Sequence, residues 1–152
     1  MTQKVMFDCN AFSALLQLND WKSFLSKAQD KYELCVASIQ VEELARIPDS
    51  KMECRIRHIL CLCEMKATIV PTSIVVGYGR LGFCAFTDEN DVIYEELLNE
   101  NRSNVRDAMI GDAAKREGCL LITNDGRFIA KLRKNSVDTM TFAEFTHAVE
   151  CT

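Results

Sequence analysis

Asp8 and Asp125 each stand directly behind a short apolar run, Lys4-Val5-Met6-Phe7 in the first case and Cys119-Leu120-Leu121-Ile122-Thr123-Asn124 in the second. In an open parallel sheet, functional groups gather just past the carboxyl ends of strands. The polar residues behind apolar runs, Asp8, Ser38, Thr123, Asn124 and Asp125, therefore come first. An aspartate opening a helix is also a preferred N-cap, so taken alone each of these aspartates reads first as a cap and then as chemistry. A third acid sits inside the helix expected over 103–117. There Asp107 and Asp112 are five residues apart, about 140° around the axis, and cannot share a face. Met109, Ile110, Ala113 and Ala114 set the apolar stripe. Asp107 borders it and is the inward candidate, whereas Asp112 is expected on the solvated surface. Gly111, one turn beyond Asp107, is expected to leave room for metal or substrate. A fourth candidate is Glu42 or Glu43, each of which taken alone reads first as a surface acid; helical geometry does not separate them, because both lie off the Val41, Leu44, Ala45 stripe.

Carboxylates gathered at one place repel one another and raise each other's pKa, a strain that a divalent cation relieves. Oxygen donors favour Mg²⁺ or Mn²⁺ over zinc, and such an ion activates water and stabilises a phosphate and its leaving oxygen. Phosphodiester hydrolysis is the matching chemistry. Imidazole acid–base catalysis has little material, since His58 and His147 are the only histidines and neither follows a strand.

The elements that must position these acids alternate. KVMFD, ELCVAS, KATIVP, CLLITND and VDTMTF are strand-like, and helical patterns run over 10–18, 20–29, 39–46, 50–65, 89–99, 103–117, 126–134 and 141–149. This alternation predicts an α/β fold with a largely parallel sheet. Residues 72–88, with three glycines, carry the weakest pattern. No repeat or linker divides the chain, and 152 residues suit one domain over 1–152. The net charge of −4 argues against a broad basic surface. Lys115, Arg116, Arg127, Lys131, Arg133 and Lys134, on or beside the two helices that bracket Asp125, are the candidate phosphate contacts, equally readable as a solvated face. The opening MTQKVMFDCN breaks its apolar run too early for a signal-peptide core. No run approaches the roughly 18 residues of a membrane span, so a cytoplasmic location is expected. The eight cysteines are scattered without a CxxC pair, which points to reduced, mostly buried thiols.

Four segments in order resemble the PIN-domain nucleases: VMFDCNAF their opening strand and Asp-x-Asn, VEELARI their Glu-Leu helix, NVRDAMIGDAA their Asn-x-x-Asp helix, and LLITNDGRF their closing Thr-Asn-Asp-x-x-Phe. The match covers the chain apart from about 66 to 100, an interval longer than in the compact VapC-type toxins. The resemblance implies a three-layer α/β/α sandwich with a central, mostly parallel sheet. It makes Asp8, Glu43, Asp107 and Asp125 the catalytic and metal-holding cluster, with Asn10 and Thr123 in support, and so chooses Glu43 over Glu42. It further implies an endoribonuclease using Mg²⁺ or Mn²⁺, a VapC-like toxin that forms a homodimer and is silenced by an antitoxin. Asp112 departs from the toxins, which usually carry a small residue there.

Other readings compete. Gly77-Tyr78-Gly79-Arg80-Leu81-Gly82 matches the dinucleotide fingerprint GxGxxG, but the segment after it, NDVIYEELLNEN, is helical where a second strand is needed. A haloacid-dehalogenase-like phosphatase needs a second aspartate where Asn10 stands, and an amide cannot serve as general acid. Cys54, His58, Cys61 and Met65 share one helical face opposite the stripe Met52, Ile56, Ile59, Leu60 and Cys63; this suggests a second contact face more than a soft-metal site. A non-catalytic PIN-like module that only binds RNA or protein is the remaining alternative.

Overall fold

The computed structural model describes residues 2–73, 84–85, 97 and 105–151. The glycine-rich segment 77–82 lies outside them, as does the helix expected over 89–99 apart from Leu97. Five strands form a wholly parallel sheet: β1 (Gln3–Phe7), β2 (Tyr32–Ala37), β3 (Thr68–Val70), β6 (Leu120–Ile122) and β7 (Thr139–Met140), in the spatial order β3-β2-β1-β6-β7. The seven fully described helices are α1 (Cys9–Gln17), α2 (Trp21–Lys31), α3 (Ser38–Ala45), α4 (Met52–Met65), α5 (Val105–Arg116), α6 (Gly126–Lys134) and α7 (Phe142–Glu150), with a 3₁₀ turn at Asp49–Lys51 before α4. They stand where the apolar periodicity predicts them, within a few residues. A short parallel pair, β4 (Thr72–Ser73) with β5 (Cys84–Ala85), was not anticipated; it falls in the stretch whose pattern is weakest.

Two cores flank the sheet and make the expected three layers. Val5, Phe7, Leu34, Leu120 and Ile122 point to one side, where α1, α2, α4 and α7 bring Phe12, Leu15, Leu25, Met65 and Phe145. The ring of Phe7 meets that of Phe145 edge-on at 5.4 Å. Met6, Cys35 and Leu121 alternate to the other side, against α5 and α6. α5 is buried all round from Ala108 to Ala114, and its C-terminus is closed by Gly118 at φ +64° with Cys119 N donating to Ala114 O at 2.8 Å.

That burial corrects two expectations. Asp112 is not on the solvated surface: it is 1% exposed, because β4 packs over α5 and brings Ser73 onto its carboxylate. Gly111 leaves no room for metal or substrate. A Cβ there would stand 2.6 Å from Leu97 Cδ1, 2.9 Å from Leu132 Cδ2 and 3.3 Å from Phe128 Cζ, so the missing side chain admits a close helix packing. A third correction concerns α4, whose Cys61 and Met65 are buried in the core while Met52, Ile56, Ile59 and Leu60 are 43–51% exposed. Two apolar stripes compete on this helix, and hydropathy does not say which one meets the sheet. The pair Cys54 and His58 remains outside, with the thiol 3.6 Å from Nδ1.

Candidate functional site

The chain leaves β1 for β2 and β3 on one flank and returns to β6 and β7 on the other, so the strand order reverses beside β1. In such sheets the crevice beyond the carboxyl ends at the reversal is the usual ligand position. Asp8 and Thr123 follow the paired ends Phe7 and Ile122, and Asp8 N donates to Ile122 O at 3.0 Å. Asp8 is 2% exposed. It caps α1 through Ala11 N, at 2.7 Å, and its other oxygen accepts from Thr123 Oγ. The same hydroxyl accepts from Asp125 N at 3.2 Å, so one buried threonine ties the two aspartates together. Asp125 in turn caps α6, with one oxygen accepting from Arg127 N and Phe128 N at 2.9 and 3.0 Å. Both aspartates are therefore N-caps, and capping is what aims them at the crevice.

Asp107 enters from the first turn of α5 and Glu43 from α3. Burial pushes the Asp107 carboxyl above the ordinary carboxylate range, and the charges of Asp8, Asp125 and Glu43 push it further. Asp8 is raised too, first by burial and last by Asp125, against the lowering pull of the Ala11, Thr123 and Asn10 hydrogen bonds. Acids from four elements thus lie within electrostatic reach of one another at the sheet's carboxyl edge. Among the described residues, however, no three His, Cys, Asp or Glu side chains are gathered closely enough to ligate one ion. The donor set still suits a hard cation, being oxygen-rich, partly buried and carrying mutual repulsion that only positive charge relieves.

The structure also separates the two glutamates. Glu42 pairs along its own helix with Arg46, at 3.8 Å. Glu43 faces the crevice, where one oxygen lies 2.6 Å from Arg106 Nη1 and the other accepts from Cys9 Sγ at 3.0 Å. Burial and then the charge of Glu43 push the Cys9 thiol far up, so it stays protonated and donates. Asn10 is exposed beside Asp8 and contributes its backbone N–H to the aspartate.

Sequence reasoning missed three residues here. Arg106 and Cys9 carry no pattern beyond lying next to Asp107 and Asp8. Gln40, 7% exposed, donates to Phe7 O at 2.6 Å and accepts from Ala37 N at 3.0 Å, bracing the carboxyl ends of β1 and β2; a polar residue one turn into a helix gives no sign of that. A neighbouring brace holds β4: Ser73 Oγ donates to Asp112, which lies 3.5 Å from Arg116, whose guanidinium also donates to Pro71 O. Arg116, whose side chain is 20% exposed, is thereby engaged inside the fold, a second use for a residue that the sequence offers as a phosphate contact. Lys131 Nζ reaches Leu97 O at 3.4 Å and Lys115 is half-buried, whereas Arg127 is exposed next to Asp125.

No family model and no curated protein matches this chain. Eight solved chains match it in structure. One is the crystal structure of PAE2754 from Pyrobaculum aerophilum, with a TM-score of 0.61 over 100% of both chains at 13% identity. At that identity the likeness speaks for the fold alone.

Proposed function

We propose that this protein is a PIN-like, metal-dependent endoribonuclease in which Asp8, Asp107, Asp125 and Glu43 would hold Mg²⁺ or Mn²⁺. The observation that carries the reading is the meeting of acids from four elements at one crevice, with Asp8 and Asp125 tied through Thr123 and Asp107 near enough for the other three charges to raise its carboxyl. Such an ion, when bound, supplies a water of lowered pKa and neutralises phosphate charge. The chain's own residues do the rest. Thr123 and the α1 and α6 N-termini fix Asp8 and Asp125, Gln40 locks the strand ends beneath them, and Cys9 and Arg106 hold Glu43 in the crevice. Arg127 and Arg106 are the exposed cations placed to meet a phosphate, the second once it leaves Glu43.

The decisive comparison is RNA cleavage with Mn²⁺ by Glu43→Gln and Glu42→Gln, both first shown to fold. Loss in the Glu43 variant alone is expected; equal activity in both, or equal loss, defeats the assignment. The competing reading, a PIN-like module that binds without cutting, draws on the lack of three closely gathered ligands among the described residues. It prevails if a mixed RNA pool is bound but never cut with either metal.

The biological role rests on the family resemblance and is proposed with it: a cytoplasmic toxin restrained by an antitoxin. No helix among the described residues is long and apolar enough to cross a membrane. A homodimer is proposed on the exposed apolar row of α4 together with Ile69 at the sheet edge, 51% exposed. Growth arrest on expression, relieved by a neighbouring gene product, is the expected result; unimpeded growth would remove the toxin role and leave the chemistry standing.

A further inference from the structure

Beside Glu43 the structure opens a cavity of about 200 Å³ between α1, α3 and α4, walled by Phe12, Ser13, Leu44, Ile47 and His58, with Glu43 itself in the wall. Its volume equals on the order of seven waters at roughly 30 Å³ each, enough for one flat heterocycle and too little for a dinucleotide. The rings of Phe12 and His58 lie 5.5 Å apart, tilted by 33°, and offer the cavity aromatic surface. Its polar groups are chiefly acceptors. His58 Nδ1 lies 2.8 Å from the Cys54 carbonyl, which can only accept, so in the neutral imidazole the proton sits on Nδ1 and Nε2 is the acceptor. Ser13 has already given its hydroxyl proton to Cys9 O, at 2.9 Å, and the Glu43 carboxylate only accepts. The Gln40 amide, also in the wall, gives one N–H to Phe7 O and accepts from Ala37 N, which leaves a single second N–H.

We propose that this cavity receives one unstacked nucleobase of a single-stranded RNA whose backbone crosses the neighbouring acids, and that it favours a base with an exocyclic amine over uracil. The inference rests on the nuclease reading for its substrate class, and it names the part of that substrate the site selects. Single-stranded RNA is commonly read by splaying a base onto aromatic side chains and bonding its edge. An amine on adenine, cytosine or guanine donates to the acceptors that dominate this wall, whereas uracil brings two carbonyls for which the wall holds one Gln40 N–H at most. An aliphatic side chain from a protein partner fits the wall less well, because it would bury those acceptors without a donor. Arg106 against Glu43 and Arg46 against the neighbouring Glu42, with side chains 43% and 45% exposed, are the cations offered to the phosphates on either side.

The test uses the whole protein in EDTA, so that binding is read without cutting. Fluorescence anisotropy compares oligoadenylate, oligocytidylate and oligouridylate, and an oligouridylate carrying a single 2-aminopurine reports stacking by its quenched emission. Adenylate and cytidylate are expected to bind more tightly than uridylate, and the 2-aminopurine to be quenched. Ile47→Trp, which fills the cavity, and Phe12→Leu, which removes the ring, are expected to weaken adenylate binding roughly 5- to 150-fold, the span of one base–aromatic stack. Ile47 lies outside the two cores, so its variant remains informative if Phe12→Leu fails to fold. Uridylate bound as tightly as adenylate, or a preference that survives Ile47→Trp, overturns the pocket. Cleavage with Mn²⁺ in the same preparations separates the two readings. Cutting without base preference that persists in Ile47→Trp sinks the pocket and leaves the nuclease, whereas base-selective binding without cutting leaves the pocket and sinks the nuclease.

Discussion

Asp107→Asn and Asp112→Asn make the same chemical change on one helix, yet they are expected to move stability in opposite directions. Asp112 is 1% exposed, accepts from Ser73 and lies 3.5 Å from Arg116. Asparagine keeps the volume and one acceptor but removes the charge opposite the guanidinium. A hydrogen bond to a charged group contributes about 1.5–3 kcal/mol. For a chain of this length 1 kcal/mol shifts Tm by about 2–4 °C, so Asp112→Asn should melt roughly 3–12 °C lower. Asp107 behaves otherwise because its folded-state pKa is raised, by burial first and then by Asp8, Asp125 and Glu43. A raised carboxyl means that the folded protein binds the proton more tightly than the unfolded chain does. The stability tied to that proton is full below the ordinary carboxylate range and is lost as pH rises through the raised pKa. At neutral pH without metal, ionised Asp107 therefore destabilises the fold, and Asp107→Asn should melt above wild type. The gap should close as pH falls below the ordinary carboxylate range. Thermal melts followed by circular dichroism in EDTA across that span decide the matter. If Asp107→Asn melts at or below wild type at neutral pH, or Asp112→Asn melts level with it, the assignment of which aspartate faces the cluster is wrong.

Three further outcomes are expected. Thr123→Val removes a fully buried hydroxyl that serves both Asp8 and Asp125 N; it should cost about 1–3 kcal/mol in denaturant melts and move the acid limb of the pH–rate profile upward, since the lost bond lowers the Asp8 pKa, with Thr123→Ser restoring both. Gln40→Glu keeps the acceptor for Ala37 N but sets a carboxylate oxygen against Phe7 O, so at neutral pH it should destabilise by about 1–3 kcal/mol, read from the same melts; an unchanged midpoint would show that the brace between β1 and β2 is idle. Mn²⁺ at a hundredfold its Kd should stabilise wild type by about 2.7 kcal/mol, a rise of roughly 5–11 °C for a chain of this size, and should do little for Asp107→Asn.

Strands and helices were readable because apolar residues recur at the periods those elements require, and the two capping aspartates because they directly follow such runs. The resemblance carried Glu43 where helical geometry was silent, and the structure places it opposite Cys9 and Arg106 while Glu42 turns to Arg46. Where sequence reasoning failed, a neighbour brought by the fold decided the outcome. Asp112 looked solvated because its cover, β4, comes from a distant stretch of weak pattern. Gly111 looked open because Leu97 and Leu132 approach it from other elements. On α4 the soft residues Cys61 and Met65 took the core side that the richer Met52, Ile56, Ile59, Leu60 row seemed to claim. Gln40 and Arg106 work by reaching other elements, and no local spacing records that reach.

The most direct measurement of the central claim is the digestion of an end-labelled pool of single-stranded RNA by the purified protein, with Mn²⁺ and with EDTA. Internal cuts that need the metal and disappear in Asp107→Asn are the expected result. RNA left intact at every metal concentration, by a protein whose melting temperature Mn²⁺ does not move, would contradict the account.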